Sequence, residues 1–449
     1  MKKSLKVRIG RGISDLIELA PTEKIKTNVQ QALPFWSASL FVGLIAVGYT
    51  KLFGYAESWL HQLLSWHQWI IFILTPFSFL MAWLVVQKLA PAARGSGIPQ
   101  VMAAIDLATP RHEEKIGRLL SLRIAVTKII SSVVMLFGGG AVGREGPTIQ
   151  IAGSLFYVMH SWIPKTWSRL SNQGFILTGA AAGLAAAFNT PLGGVVFAME
   201  ELAKIHVRHF RTALFSAVII AGLTAQAVLG PYLYLGYPSV RASGTFIFIG
   251  VAATAVAAGI LGSIMCKIIL RMMKWKRSFN TTKTVLYLIA SGLTVATAAY
   301  FFNDSILGSG KELMNHLLFT QEKMAGWGTV FMRIAGPIIS FNTGAAGGIF
   351  APALAAGASV GAWFAELFHL ADSNANLLIL SGMVGFLTGV TRTPFTSAIL
   401  VLEMTDRHSV IFYLMVAALI SNIAALLIDK HSFYEQLKKG YVAEVINSD

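Results

Sequence analysis

Three short interruptions hold the residues with the most chemistry to offer: GSGIP at Gly95–Pro99, GREGP at Gly143–Pro147 and GGIFAP at Gly347–Pro352. Each falls where an apolar run would otherwise continue as a helix, so each reads as the start of a half-helix inside an apolar medium. Such a helix points unpaired backbone N–H groups and the positive end of its dipole at a place without water. An anion satisfies them. Glycine permits close backbone approach, and proline suits the first helical turn, where its missing N–H is not needed. Three such ends can surround one small anion with partial positive charge, with no lysine or arginine to bind it too tightly for release.

Glu145 sits inside the second interruption, and apart from Arg144 there is no other Asp, Glu, Lys, Arg or His between Ile129 and Val158. A carboxylate there is costly unless it has a function or a partner, and at an anion-attracting helix start it can take the anion's place. Protonation would release it, so Glu145 reads as both gate and proton carrier. The plainer alternative is an ion pair with Arg144. Glu200 and Glu201 end a run without charge from Leu170 to Met199 and precede a basic loop holding Lys204 and Arg208. Adjacent helical residues point about 100° apart, so one acid can pack while the other faces a path. Weaker candidates are Arg333 and Arg392, expected as pairing partners inside apolar runs, and Tyr434, whose hydroxyl either faces a pore or, as such a Tyr does by default, anchors at the interface. His206 and His209 have helical ligand spacing but lie in the basic loop, which favours solvation over metal.

The elements that position these residues follow from composition. Of 449 residues 55% are hydrophobic and only 13% charged, with 41 glycines and 14 prolines among them, which excludes a disordered or ordinary water-soluble chain and describes an integral membrane protein. The single cysteine, Cys266, excludes an intrachain disulfide and a cysteine metal site. The net charge of +15 comes from basic residues clustered between apolar runs, at Lys2–Arg11, Arg111–Lys128, Lys204–Arg211 and Lys267–Lys283, which the positive-inside rule places on the cytoplasmic side. Nucleic acid is therefore not an expected partner. Met1–Ala20 alternates basic and aliphatic residues like a helix lying on the cytoplasmic leaflet, without a cleavable signal.

Apolar runs appear at Phe35–Leu52, Trp69–Ala90, Ile124–Val142, Phe175–Met199, Thr212–Tyr234, Thr245–Ile269, Val285–Phe302, Gly326–Leu370, Leu377–Leu402 and Val410–Ile428. An internal repeat joins them. Setting Leu177–Leu202 against Leu380–Thr405 pairs Gly179 with Gly382, Thr190 with Thr393, Pro191 with Pro394 and Glu200 with Glu403, and each copy follows a Gly-rich break that ends in proline. Repeats of this kind place a substrate near the bilayer midplane between broken helices. Because Glu403 matches Glu200, the structural role falls to Glu200 and the functional one to Glu201.

At this point the motifs resemble those of the CLC family of chloride channels and chloride/proton exchangers. GSGIP, GREGP and GGIFAP stand in the family's order, and FNTPLGGVVFAMEEL at Phe188–Leu202 and LEMTD at Leu402–Asp406 are also similar to family signatures. The likeness runs from about Phe35 to Tyr434. It implies an all-α polytopic membrane protein, with two inverted repeats of broken, re-entrant helices, approximately 35–235 and 245–434, inside a transmembrane domain at 35–434. A cytoplasmic amphipathic segment at 1–34 and a short cytoplasmic tail at 435–449 flank it. It further implies that Ser96, the backbone N–H groups of Ile349 and Phe350, and Tyr434 bind the anion. Gly95, Gly97, Pro99, Gly143, Arg144, Gly146, Pro147, Gly348 and Pro352 shape the loops around it. Glu145 matches the gating glutamate, and Glu201 the internal proton-transfer glutamate that channel members generally replace.

The implied activity is chloride/proton antiport, with a passive voltage- or pH-gated chloride channel of the same fold as the alternative. No enzyme activity, cofactor or metal is implied. A homodimer in a prokaryotic cytoplasmic membrane, N-terminus inside, is the expected assembly. Two features depart from many relatives: Gln100 replaces an acidic residue after GSGIP, and the chain ends soon after the last apolar run, without paired regulatory domains. An intramembrane hydrolase using Ser96 lacks an adjacent His or Lys to activate it. A cation-coupled organic-solute transporter would share the broken helices.

Overall fold

The computed structural model describes residues 23–163, 171–202, 211–230, 233–240, 246–321, 323, 325–370 and 372–447. The expected surface helix at Met1–Ala20, and Lys204, His206, Arg208 and His209, lie outside the described residues. Helices in chain order are α1 (Glu23–Trp66), α2 (Ile71–Leu89), α3 (Ile98–Leu107), α4 (Leu122–Phe137), α5 (Glu145–His160) and α6 (Asn172–Phe188). They continue with α7 (Pro191–Phe197), α8 (Arg211–Leu229), α9 (Phe246–Lys276), α10 (Thr281–Phe301), α11 (Lys311–Phe319) and α12 (Trp327–Phe341). The last are α13 (Phe350–Leu367), α14 (Asp372–Thr391), α15 (Pro394–Thr405), α16 (Ile411–Leu426) and α17 (Phe433–Ile446). Among the described residues, strand pairing is limited to two isolated bridges, both in the loops between half-helices.

Nine of the described helical segments are long and apolar enough to span a bilayer. Their burial sorts them. The window within Ser373–Thr391 is 94% buried and that within Phe350–Leu367 78%, against 28% for Thr281–Phe301, so α13 and α14 form the centre and α10 lies at the periphery. In lipid the hydrophobic effect does not drive helices together, so close backbone approach must. Gly357 on α13 and Gly382 on α14 provide it, since a Cβ on either would overlap the other's backbone.

Several apolar runs divide more finely than their composition suggests. The run Phe175–Met199 breaks into α6 and α7 at Asn189, which takes φ 56°, followed by Pro191; the run Leu377–Leu402 breaks into α14 and α15 at Arg392, φ 63°, followed by Pro394. The breaks occupy matched positions in the two repeats. Each half-helix start is then capped by the other repeat. Glu403 on α15 accepts from the N–H groups of Leu192 (3.0 Å) and Gly193 (2.6 Å) at the start of α7. Glu200, just past the end of α7, accepts from Phe395 N (3.2 Å), Thr396 N (2.7 Å) and Thr396 Oγ1 (2.7 Å) at the start of α15. Glu200 is thus a structural residue whose partner among the described residues is a helix end.

The division at residue 34 falls inside the continuous α1, and the expected tail at 435–449 is largely helical, because α17 runs on to Ile446. The apolar and aromatic residues Leu437, Tyr441 and Val445 are buried, and Lys438 Nζ pairs with Asp106 Oδ2 at 2.7 Å, fastening α17 to α3. The reciprocal caps predict that Glu200→Ala and Glu403→Ala each destabilise the fold by about 1–2 kcal/mol, the usual worth of a helix cap. Unfolding midpoints of the detergent-solubilised variants measure this, and an unchanged midpoint in either would contradict it.

Candidate anion site

The three sequence interruptions meet at one place. Gly95 N donates to Ala345 O (2.8 Å) and Gly347 N to Gly95 O (3.0 Å), while Gly143 and Gly348 exchange N–H···O bonds of 2.7 and 2.8 Å. These bonds stitch the loop before α3 and the loop before α5 to the loop before α13. The stitching brings the starts of three helices together and satisfies backbone groups that would each cost several kcal/mol unpaired in a membrane. Gly97 caps α3 at φ 105°, a conformation open to glycine, with Pro99 in the first turn. Gly146 lies so close to Ser96 that a Cβ would collide with the Ser96 hydroxyl. Gly143, Pro147, Gly348 and Pro352 pack against one another at the same junction.

Ser96 and Tyr434, from opposite ends of the chain, come together here. Both side chains are buried, each hydroxyl interacts with the other, and neither makes a hydrogen bond of ordinary geometry. Buried hydroxyls without such bonds are uncommon and mark a place where another partner fits. Phe350, the first residue of α13, forms the wall: its ring stacks on Tyr434 at 6.2 Å and meets Phe188 at 6.3 Å and Phe197 at 6.2 Å. Ile349 is the cap residue of α13, so its N–H and that of Phe350 belong to the helix end that faces this place.

Glu145 occupies the same helix end. Its side chain is 1% exposed and its carboxylate lies against the backbone N–H of Ala351, in the first turn of α13. The Arg144 Nε to Glu145 Oε1 distance is 3.9 Å, and Arg144 instead donates to Ala187 O at 3.3 Å. The Arg144 ion pair is therefore too long to account for the carboxylate's burial. Glu201 is buried in a π-helical turn, Ala198–Leu202, which continues α7. That wide turn, of a kind enriched at functional sites, lets Glu200 reach α15 while Glu201 turns inward to within electrostatic reach of Tyr434.

Several residues differ from expectation. Lys128, grouped with the cytoplasmic basic residues, is fully buried on α4, and its Nζ donates to Gly95 O (2.9 Å) beside the weaker Arg94 O (3.5 Å). The Lys128 amine thus stands behind the Ser96 loop, bracing it without replacing its hydroxyl. The available signal was its position inside the apolar run Ile124–Val142. Gln100 is buried and donates to Arg94 O (2.6 Å), Ala92 O (3.1 Å) and Tyr441 Oη (3.1 Å), so it braces the same loop. Arg333 and Arg392 pair mainly with backbone carbonyls: Arg333 with Leu307 O (2.5 Å) and Gly308 O (3.2 Å), Arg392 with Ala425 O (2.9 Å) and Asp429 O (3.0 Å).

On the Glu145 side a cavity of about 300 Å³ opens, lined by Glu57, Arg144, Glu145, Tyr234, Ser309 and Lys311 among others. Neither Tyr234 nor Lys311 stands out in the sequence. Tyr234 follows α8 and Lys311 opens α11, and only folding puts them beside the glutamate.

The family model described as voltage gated chloride channel matches residues 77–426. The H(+)/Cl(-) exchange transporter ClcA of Salmonella typhimurium strain LT2 is 27% identical, over 94% of this chain and 92% of its own. The protein of the same name from Salmonella paratyphi A is also 27% identical, with the same coverage. Among solved structures, a slow cyanobacterial Cl-/H+ antiporter aligns with TM-score 0.79 at 22% identity, over 92% of this chain and 98% of its own. A CLC-type fluoride/proton antiporter gives TM-score 0.76 at 18% identity, with 92% and 98% covered. These likenesses show the all-α fold of two inverted repeats with broken helices.

The contact between Gly146 and Ser96 predicts that Gly146→Ala displaces the Ser96 loop. Halide affinity, read by isothermal titration calorimetry on folded protein, is expected to fall about tenfold, equivalent to losing about 1.4 kcal/mol. Unchanged affinity would mean that the loop does not contribute to the anion site.

Proposed function

The chain belongs to the voltage gated chloride channel family, and on that premise we propose that it is a secondary transporter exchanging chloride for protons across a cell membrane. The observation that carries this reading is the Glu145 carboxylate lodged at the start of α13, against the Ala351 N–H. The activity for which the Salmonella relatives are named supports it.

The steps follow from electrostatics. Ionised, Glu145 satisfies the positive end of α13 and blocks the path. Protonation cancels that attraction, the side chain swings out, and chloride takes the helix end in its place. Chloride then receives the N–H groups of Ile349 and Phe350 and the hydroxyls of Ser96 and Tyr434. Partial charges hold it, with the Lys128 amine at one remove, so binding stays reversible. The proton carried by Glu145 passes to Glu201 and leaves on the side of the basic loops, which the positive-inside rule makes cytoplasmic. Each subunit of a homodimer holds one such pathway, in a prokaryotic cytoplasmic membrane with the N-terminus inside.

The test is flux into liposomes under a chloride gradient. Protons are expected to move against their own gradient. Glu201→Gln is expected to keep chloride flux and lose proton movement, and Glu145→Gln to lose both proton movement and the pH dependence of chloride flux. Chloride flux without proton movement in the unaltered protein would instead indicate a passive channel of the same fold.

A further inference from the structure

We propose that Tyr234 is the latch that holds the Glu145 gate closed, a positioning residue contributed by the segment after α8. Its side chain is buried, and its hydroxyl donates to Glu145 Oε1 at 3.4 Å. The ring cannot easily turn away. It packs edge-on against Phe188 at 5.0 Å and 83°, with Lys311 Nζ 4.7 Å and the Arg144 guanidinium 5.9 Å from its centroid. Two cations over one ring fix its plane by attraction to the π face. The backbone is fixed as well, because Leu235 N donates to Met404 O at 3.1 Å, tying the segment to α15.

This arrangement selects between the two states of the gate. A phenol hydroxyl is a better partner for a carboxylate than for a neutral acid, since hydrogen bonds to charged groups are the stronger ones. Tyr234 therefore favours the ionised, blocking Glu145 and gives that preference up when the proton arrives. It also stands at the wall of the cavity that opens beside Glu145, so the donor is met by the proton's route to the gate. The other charged or titratable groups around Glu145 are Arg144 at the cap of α5, Lys311 on α11, Glu57 and Tyr49 on α1, and Tyr434 on α17. Of these, Arg144 is 3.9 Å away at Nε, and Tyr49 is engaged with Ser132 at 2.5 Å.

The inference rests on Glu145 as the gate, and its test is a comparison of pH curves. Chloride flux in liposomes is measured at equal pH on both sides for the unaltered protein, Tyr234→Phe, Glu145→Gln and the double variant. Phenylalanine keeps the ring on Phe188 and Lys311 and removes only the donor. With the latch gone, less acid is needed to open the gate, so the activation midpoint is expected to move about one pH unit toward alkaline, a tenfold change in proton sensitivity. Adding Tyr234→Phe to Glu145→Gln is expected to change nothing further. An unmoved midpoint, or an equal effect of the substitution in both backgrounds, would overturn the proposal. Failure of the exchanger reading is distinguishable, because chloride flux without proton movement would leave this comparison of midpoints intact.

Discussion

The constraint on which the rest of the molecule depends is the satisfaction of helix ends away from water. A helix that begins inside a bilayer leaves N–H groups that cost several kcal/mol each if nothing accepts from them. This chain begins several helices there. Two of those starts, at α7 and α15, are closed permanently by Glu403 and Glu200 from the opposite repeat. A third, at α13, is met by Glu145. One residue type thus serves as fixed cap and as movable one. The difference lies in the partners: Glu200 accepts three bonds of 2.7–3.2 Å, whereas Glu145 rests against the Ala351 N–H with a hydroxyl at 3.4 Å and an arginine at 3.9 Å. A weakly held carboxylate can be replaced by an anion.

The loops that form the third site need support from behind. Lys128, Gln100 and Tyr441 converge on the carbonyls of Ala92, Arg94 and Gly95. A buried amine is costly unless its hydrogen bonds are made, and carbonyls that must point away from an anion are suitable acceptors. The two needs are met by the same bonds. Arg94 extends the network to the surface through Glu444, at 2.5 and 2.6 Å, so α17, which also bears Tyr434, holds the Ser96 loop from both sides.

Burial follows the same logic. The glycine and alanine faces of α13 and α14 let backbones meet at the centre, and bulky residues such as Phe412, Ile423 and Leu427 remain exposed at the periphery. At the site itself four aromatic rings, Phe188, Phe197, Phe350 and Tyr434, form the enclosure.

The sequence by itself determined the membrane-spanning all-α class, the repeat and the three interruptions, because composition and Gly/Pro spacing are local signals. It also separated Glu200 from Glu201, since the repeat supplies Glu403 as a match for one and none for the other. It did not show that Phe175–Met199 and Leu377–Leu402 are each two helices, because Asn189 and Arg392 take left-handed backbone only where packing holds them. Lys128 was misplaced for a related reason: charge alone suggests the surface, and only carbonyls from another loop make its burial tolerable. Tyr234 and Lys311 could not be found at all. Their importance is their distance from Glu145, which lies far away in the chain, and only the tertiary structure sets that distance.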